Sequence, residues 1–156
     1  MPSESHVIVV GAGASGLSAA AALARRGIEA VVLEQDEAIG GTWARRYDRL
    51  HLHTIRQFSG LAHFPVPRSY PRYLSRDDVV DYLNQYARHF GLSVITGTAV
   101  RRIRPRTDAP DGWIVEANAA NAWHGTPALT RTPRLTPVSA CSSSARGTAA
   151  PRLPRI

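Results

Sequence analysis

Residues 6–16 read HVIVVGAGASG, a β-branched run that closes on glycines spaced G-x-G-x-x-G. A run apolar at every position from Val7 to Val10 predicts a parallel strand buried on both faces. The following LSAAAALARRG, residues 17–27, is Ala/Leu-rich and without a breaker, which predicts a helix. Arg25 and Arg26 supply cations to its last turn, and Gly27 stands where a helix stops. IEAVVLE, residues 28–34, then predicts a second buried strand. Strand, helix and strand in this order make a βαβ unit.

The three glycines have separate mechanical roles. Gly11 permits a tight turn, Gly13 lets the backbone approach a pyrophosphate, and Gly16 allows the helix to pack closely on the strand. The phosphates meet N–H groups at the positive end of the helix. Glu34 ends the second strand, 18 residues beyond Gly16, where a carboxylate accepts hydrogen bonds from an adenosine ribose. An acid there disfavours a 2′-phosphate, so the site is not expected to prefer NADP. A merely flexible turn would account for the glycines alone. It would not place the strand, the helix, Ala19 and Glu34 in register with them. The unit is expected to bind a dinucleotide.

Outward from this unit, residues 36–74 have weak periodicity and many His, Pro and Arg, which predicts loop with short helical turns. SRDD, residues 75–78, sets a Ser N-cap, acids in the first turn and Asp78 as capping-box partner. Val79, Leu83, Tyr86, Ala87 and Phe90 recur at helical spacing until Gly91. LSVITGTAV, residues 92–100, reads as a third strand, and residues 100–117 as two strands joined by a turn rich in Pro, Asp and Gly. Trp113 is expected to cover the core from a strand. Order fades after Glu116.

EAIGGTW at 37–43 places a second glycine pair soon after the ribose acid, which resembles FAD-binding oxidoreductases rather than simple NAD dehydrogenases. With RYDRLHLHT at 46–54 and FPVPRSYPRYLSRDDVVDYLNQYARHFGL at 64–92, the chain resembles the N-terminal part of the flavin-containing monooxygenases, above all their YUCCA-like branch and its bacterial relatives. The neighbouring Baeyer–Villiger monooxygenases share the GGTW element. The resemblance covers residues 5–116 or so. It implies an α/β, Rossmann-like FAD-binding domain over residues 1–116, built as a parallel sheet with a helical insertion and a β-hairpin. It also implies an NADPH-bearing second domain, and oxygenation of a small organic substrate through a C4a-(hydro)peroxyflavin. By position, Gly11, Gly13, Ala14, Ser15 and Gly16 would hold the FAD pyrophosphate and Glu34 its ribose. Gly41, Thr42, Trp43 and His53 would lie along the flavin side, and Val100, just after the third strand, would meet adenine. No residue of this stretch is singled out as catalytic, because the oxidative chemistry belongs to the flavin.

Composition narrows the alternatives. The net charge of +7 invites a nucleic-acid partner, but residues 1–116 hold 14 Arg against 12 acids, while the remaining 40 residues hold five Arg and no acid. All basic residues are Arg, a skew that fits a GC-rich genome better than a binding surface, so no nucleic-acid partner is expected. RRIRP at 101–105 decorates a strand and turn. His51 and His53 stand at i, i+2 with no Cys or acid cluster to complete a metal site, so packing or flavin-side contacts are expected. Cys141, the single cysteine, excludes an internal disulfide and has no base nearby that would mark a nucleophile. No apolar run is long enough to span a bilayer and no basic segment precedes VIVV, so the default expectation is a cytoplasmic protein with no membrane partner.

The ending poses its own question. Residues 117–156 combine Pro, Ala, Ser, Thr and Arg without acids, the composition of a disordered extension. A second reading joins each codon's third base to the next codon's first two. Residues 139–156 then permit RVLVVGAGNSGAEIAAD: a strand, another G-x-G-x-x-G and a helix start. The tail is therefore expected to be a frameshifted continuation, and the FAD-binding part to be truncated and inactive by itself. An exposed sheet edge and poor solubility follow from that expectation. Two alternatives remain open: a stand-alone FAD-binding redox module working with a partner chain, and an Arg-rich nucleic-acid binder.

Overall fold

The computed structural model describes residues 7–107 and 112–119. Three short strands, β1 (Val7–Val10), β2 (Ala30–Leu33) and β3 (Ser93–Ile95), form one parallel sheet in the order β1-β2-β3. Val7 pairs with Ala30 and Val10 with Leu33; Val31 pairs with Ser93 and Leu33 with Ile95. The connection from β1 to β2 is α1 (Ala14–Ala24). The connection from β2 to β3 is long and holds α2 (Gly41–Ala44), a 3-10 turn at Arg56–Phe58 and α3 (Arg76–His89). An antiparallel hairpin, β4 (Thr98–Pro105) with β5 (Trp113–Ala119), follows the sheet.

Local chemistry accounts for these boundaries. α3 begins at a full capping box: the Ser75 hydroxyl accepts from the Asp78 N–H, and the Asp78 carboxylate accepts from the Ser75 N–H at 2.9 Å. Arg88 and His89 complement the dipole at its other end, and Gly91 turns away at φ +60°. Val79, Leu83, Tyr86 and Ala87 of the expected face are buried and Tyr82 joins them, while Phe90, the C-cap, is partly buried. Leu17, Ala20 and Ala21 of α1, Val32 of β2 and this face of α3 share one core with Val66, Tyr70 and Leu74. Each large aliphatic side chain fully buried there contributes roughly 1.5–3 kcal/mol of transfer free energy. Small alanines on α1 let that helix lie close to its neighbours.

Several expectations are corrected. β1 is half-buried rather than covered on both faces, and Val10, at its carboxyl end beside an open cavity, is 52% exposed; among the described residues β1 pairs on one side only. α1 starts three residues earlier than the sequence pattern indicates, and Arg25 is its C-cap, so both arginines fall outside the last turn. LSVITGTAV is two strands: Gly97, at φ +62°, breaks the run, and Val100 lies within β4 rather than after β3. Trp113 does sit in a strand but is 52% exposed; Ile114 and Val115 are the buried residues there. Order runs through Ala119, three residues past Glu116. The turn at 108–111, residues 120–156 with Cys141, and the shifted-frame reading lie outside the described residues.

Candidate dinucleotide site

At the carboxyl end of β1 the chain reverses through Gly11, whose φ of +93° suits glycine and few other residues. Gly16 then faces the turn from the first coil of α1. A Cβ on it would lie 1.9 Å from the Gly11 carbonyl oxygen, so helix and turn meet only because the side chain is missing. Gly13 differs. Its backbone is extended (φ −77°, ψ −179°), it is the N-cap of α1, and a Cβ there would meet nothing within 4 Å. The cap has no side-chain hydrogen bond and the first turn has no acid. The leading N–H groups of α1, from Ala14, Ser15 and Gly16, therefore have no side-chain cap at the helix's positive end, a setting suited to an anion.

Glu34 follows directly on β2 and is 9% exposed. Its main chain is fixed on both sides: the N–H donates to the Ile95 carbonyl at 2.8 Å, and the carbonyl accepts from the Thr98 N–H at 2.7 Å. The carboxylate accepts from the Ala12 N–H at 2.6 Å and from the Asp36 N–H at 3.0 Å. An ionised carboxylate offers about four acceptor positions. Two backbone donors orient the group and leave capacity for the hydroxyls of a ribose.

Gly11, Gly13, Glu34, Thr42 and Val100 line one cavity of about 330 Å³. Five of the positions named from the sequence thus converge, drawn from β1, β2, α2 and β4. Ala14, Ser15 and Gly16 stand beside it in the first turn of α1. Gly41 opens α2 one residue before Thr42, and its Cα lies against Asp36: a Cβ would be 2.5 Å from Oδ2. Trp43 packs on the core from α2, and His53 is exposed; neither lines the cavity. His51 is exposed, with Nδ1 2.9 Å from the Arg49 carbonyl.

Val10, Leu33, Gln35 and Thr98 complete the lining and were not singled out from the sequence. Gln35 follows the ribose acid directly, and Thr98 and Val100 stand at i, i+2 on one strand face; both signals were present but weak. A larger cavity of about 500 Å³ lies at the other end of the sheet, between the C-terminal end of α1, Ala30 and Ser93. Ligands of open α/β sheets bind beyond the carboxyl ends of the strands, so the smaller cavity is the candidate site.

Among the described residues no helix is long and apolar enough to cross a membrane. No group of three or more His, Cys, Asp or Glu among them is placed to hold a metal ion.

Comparison with known proteins points to one family. The family model described as flavin-binding monooxygenase-like matches residues 4–116. Indole-3-pyruvate monooxygenase YUCCA1 of Oryza sativa subsp. japonica is 40% identical over 129 residues, which covers 74% of this chain and 32% of the relative. Indole-3-pyruvate monooxygenase YUCCA6 of Arabidopsis thaliana is 44% identical over 86 residues, 54% of this chain and 21% of the relative. Among solved structures, the flavin-containing monooxygenase from Stenotrophomonas maltophilia superposes with a TM-score of 0.67 at 33% identity, over 74% of this chain and 34% of that one. The chain matches a fifth to a third of the length of these relatives. Two neighbours of the same fold at 22% identity carry nucleotides, a steroid monooxygenase bound to NADP and OTEMO in complex with FAD and NADP. On the family match and the glycine turn together, the chain belongs to the flavin-binding monooxygenase-like family.

Proposed function

We propose that this chain forms the FAD-binding portion of an NADPH-dependent flavin monooxygenase that oxygenates a small organic substrate. The observation that carries the reading is the convergence of an uncapped helix start, an open face at Gly13 and the oriented Glu34 carboxylate on one cavity. The turn from Gly11 to Gly16 would hold the pyrophosphate, Glu34 the ribose and the Val100 backbone the adenine. Gly41 and Thr42 would face the flavin side, with Trp43 anchoring α2 to the core beneath them. His53, exposed and away from the cavity, is assigned no contact. When bound, FAD supplies the redox chemistry; these residues bind it, orient it and limit water at the pyrophosphate. NADPH would be delivered by a second nucleotide domain.

Flavin fluorescence titration tests this. The chain is expected to quench FAD saturably, with ADP competing for the same site. Glu34→Gln, which removes the charge while keeping the shape, is expected to weaken FAD by about tenfold, the scale of one hydrogen bond to a charged group. Absence of saturable binding by the wild-type chain would contradict the proposal.

A further inference from the structure

Asp36 does not line the cavity, yet three of its walls meet on this residue. Its N–H donates to Glu34 Oε1 at 3.0 Å, and its carbonyl accepts from the Gly97 N–H at 2.8 Å, beside Thr98. Its carboxylate takes a two-pronged bond from Arg45, Nη1 to Oδ1 at 2.8 Å and Nη2 to Oδ2 at 3.0 Å. Arg45 is the C-cap of α2, the helix that carries Thr42. The same carboxylate lies on the bare Cα of Gly41, at a distance that leaves no room for a Cβ.

From this we infer that Asp36 is a positioning residue for the dinucleotide site, an inference that rests on the function proposed above. It fastens the end of β2, the start of α2 and the β3–β4 turn to one another. Through that junction it holds Glu34, Thr42 and Thr98 at their places in the cavity wall. A flat guanidinium–carboxylate pair fixes orientation as well as distance. The Asp36 side chain is only 17% exposed, whereas Arg45 is 62% exposed. The pair's value therefore lies in geometry more than in charge attraction, which solvent screens at Arg45. Gly41 is glycine here because Asp36 occupies the space a methyl group would take. Pairwise coupling between positions 36 and 41 follows.

Amide hydrogen exchange and FAD titration on the full 156-residue chain test this with Asp36→Ala, Asp36→Asn, Gly41→Ala and the double variant Asp36→Ala/Gly41→Ala. Asp36→Ala is expected to speed exchange at the Ala12 and Gly97 amides by about fivefold or more while α3 keeps its protection. FAD affinity is expected to fall about tenfold. Asp36→Asn keeps the shape but only one of the two acceptors for Arg45, and should fall between wild type and Asp36→Ala on both readings. Gly41→Ala should weaken FAD in the wild-type background and weaken it less once Asp36 is Ala, which removes Oδ2 and Cγ and leaves only the position-36 Cβ, 2.8 Å from the added methyl. Unchanged exchange at Ala12 and Gly97 in Asp36→Ala overturns the inference, whether or not the chain binds FAD. An equal Gly41→Ala penalty in both backgrounds overturns it too. If wild type binds no FAD, the function proposed above fails on its own, and the exchange readings alone decide this inference.

Discussion

His63 holds φ at +64°, the one non-glycine residue among those described with a left-handed backbone. It is the third residue of a tight turn in which the Phe64 N–H donates to the Leu61 carbonyl at 3.2 Å. Histidine tolerates this region better than most residues, and a β-branched side chain tolerates it worst. His63→Val should therefore cost about 1–2 kcal/mol in urea unfolding, while His63→Asn should stay within about 0.5 kcal/mol of wild type. Nothing in AHFP announces that conformation, because the turn is imposed from outside by tyrosines on α3. Gly11 and Gly16 were legible for the opposite reason: their roles follow from the strand and helix on either side. Asp36 was not legible, since its partners Gly41 and Arg45 are reached across a loop without periodicity.

At the scale of elements, α3 organises the insertion. Tyr82 accepts from the Leu61 N–H at 2.7 Å and donates to the Phe64 carbonyl, while Tyr86 donates to the Ala62 carbonyl at 2.9 Å. Tyr70 donates to Asp81 at 2.6 Å. Burial raises all three phenols above their ordinary range, and at Tyr70 the bond to Asp81 raises it further. A phenol raised in the folded state stabilises fully below its unfolded value of about 10 and loses that contribution as pH rises through the folded value. Urea midpoints should thus stay flat up to about pH 9.5 and fall steeply above about pH 10. Tyr82→Phe should lessen that fall; an unchanged midpoint up to about pH 11.5 would contradict it. The capping box made α3 readable from four letters, and helical spacing identified most of its buried face. The break between β3 and β4 was not readable, because VITGTAV stays apolar and β-prone straight through the glycine. Trp113 misled for a related reason: alternation marks a strand but does not say which face another element will cover.

For the molecule as a whole, one strand–glycine–helix–strand–acid unit determines where a ligand can sit. The remaining elements are arranged around it: α3 closes the core, α2 supplies Thr42, and the hairpin returns Thr98 and Val100 to the same cavity. The return of the hairpin depends on a two-residue link from β3 to β4, a tertiary arrangement that composition and periodicity do not encode.

Gly16 serves the fold, and Gly13 is assigned to the ligand. The most direct test compares Gly16→Ala with Gly13→Asp by chemical unfolding and FAD titration. Gly16→Ala drives a Cβ into the Gly11 carbonyl and should cost about 3 kcal/mol or prevent folding. Gly13→Asp places a good N-cap in open space at an extended backbone, so stability should hold or rise by about 0.5 kcal/mol. The same carboxylate would occupy and repel the pyrophosphate position, and FAD affinity should fall by about a hundredfold. A Gly13→Asp chain that folds normally and binds FAD as tightly as wild type would contradict the account.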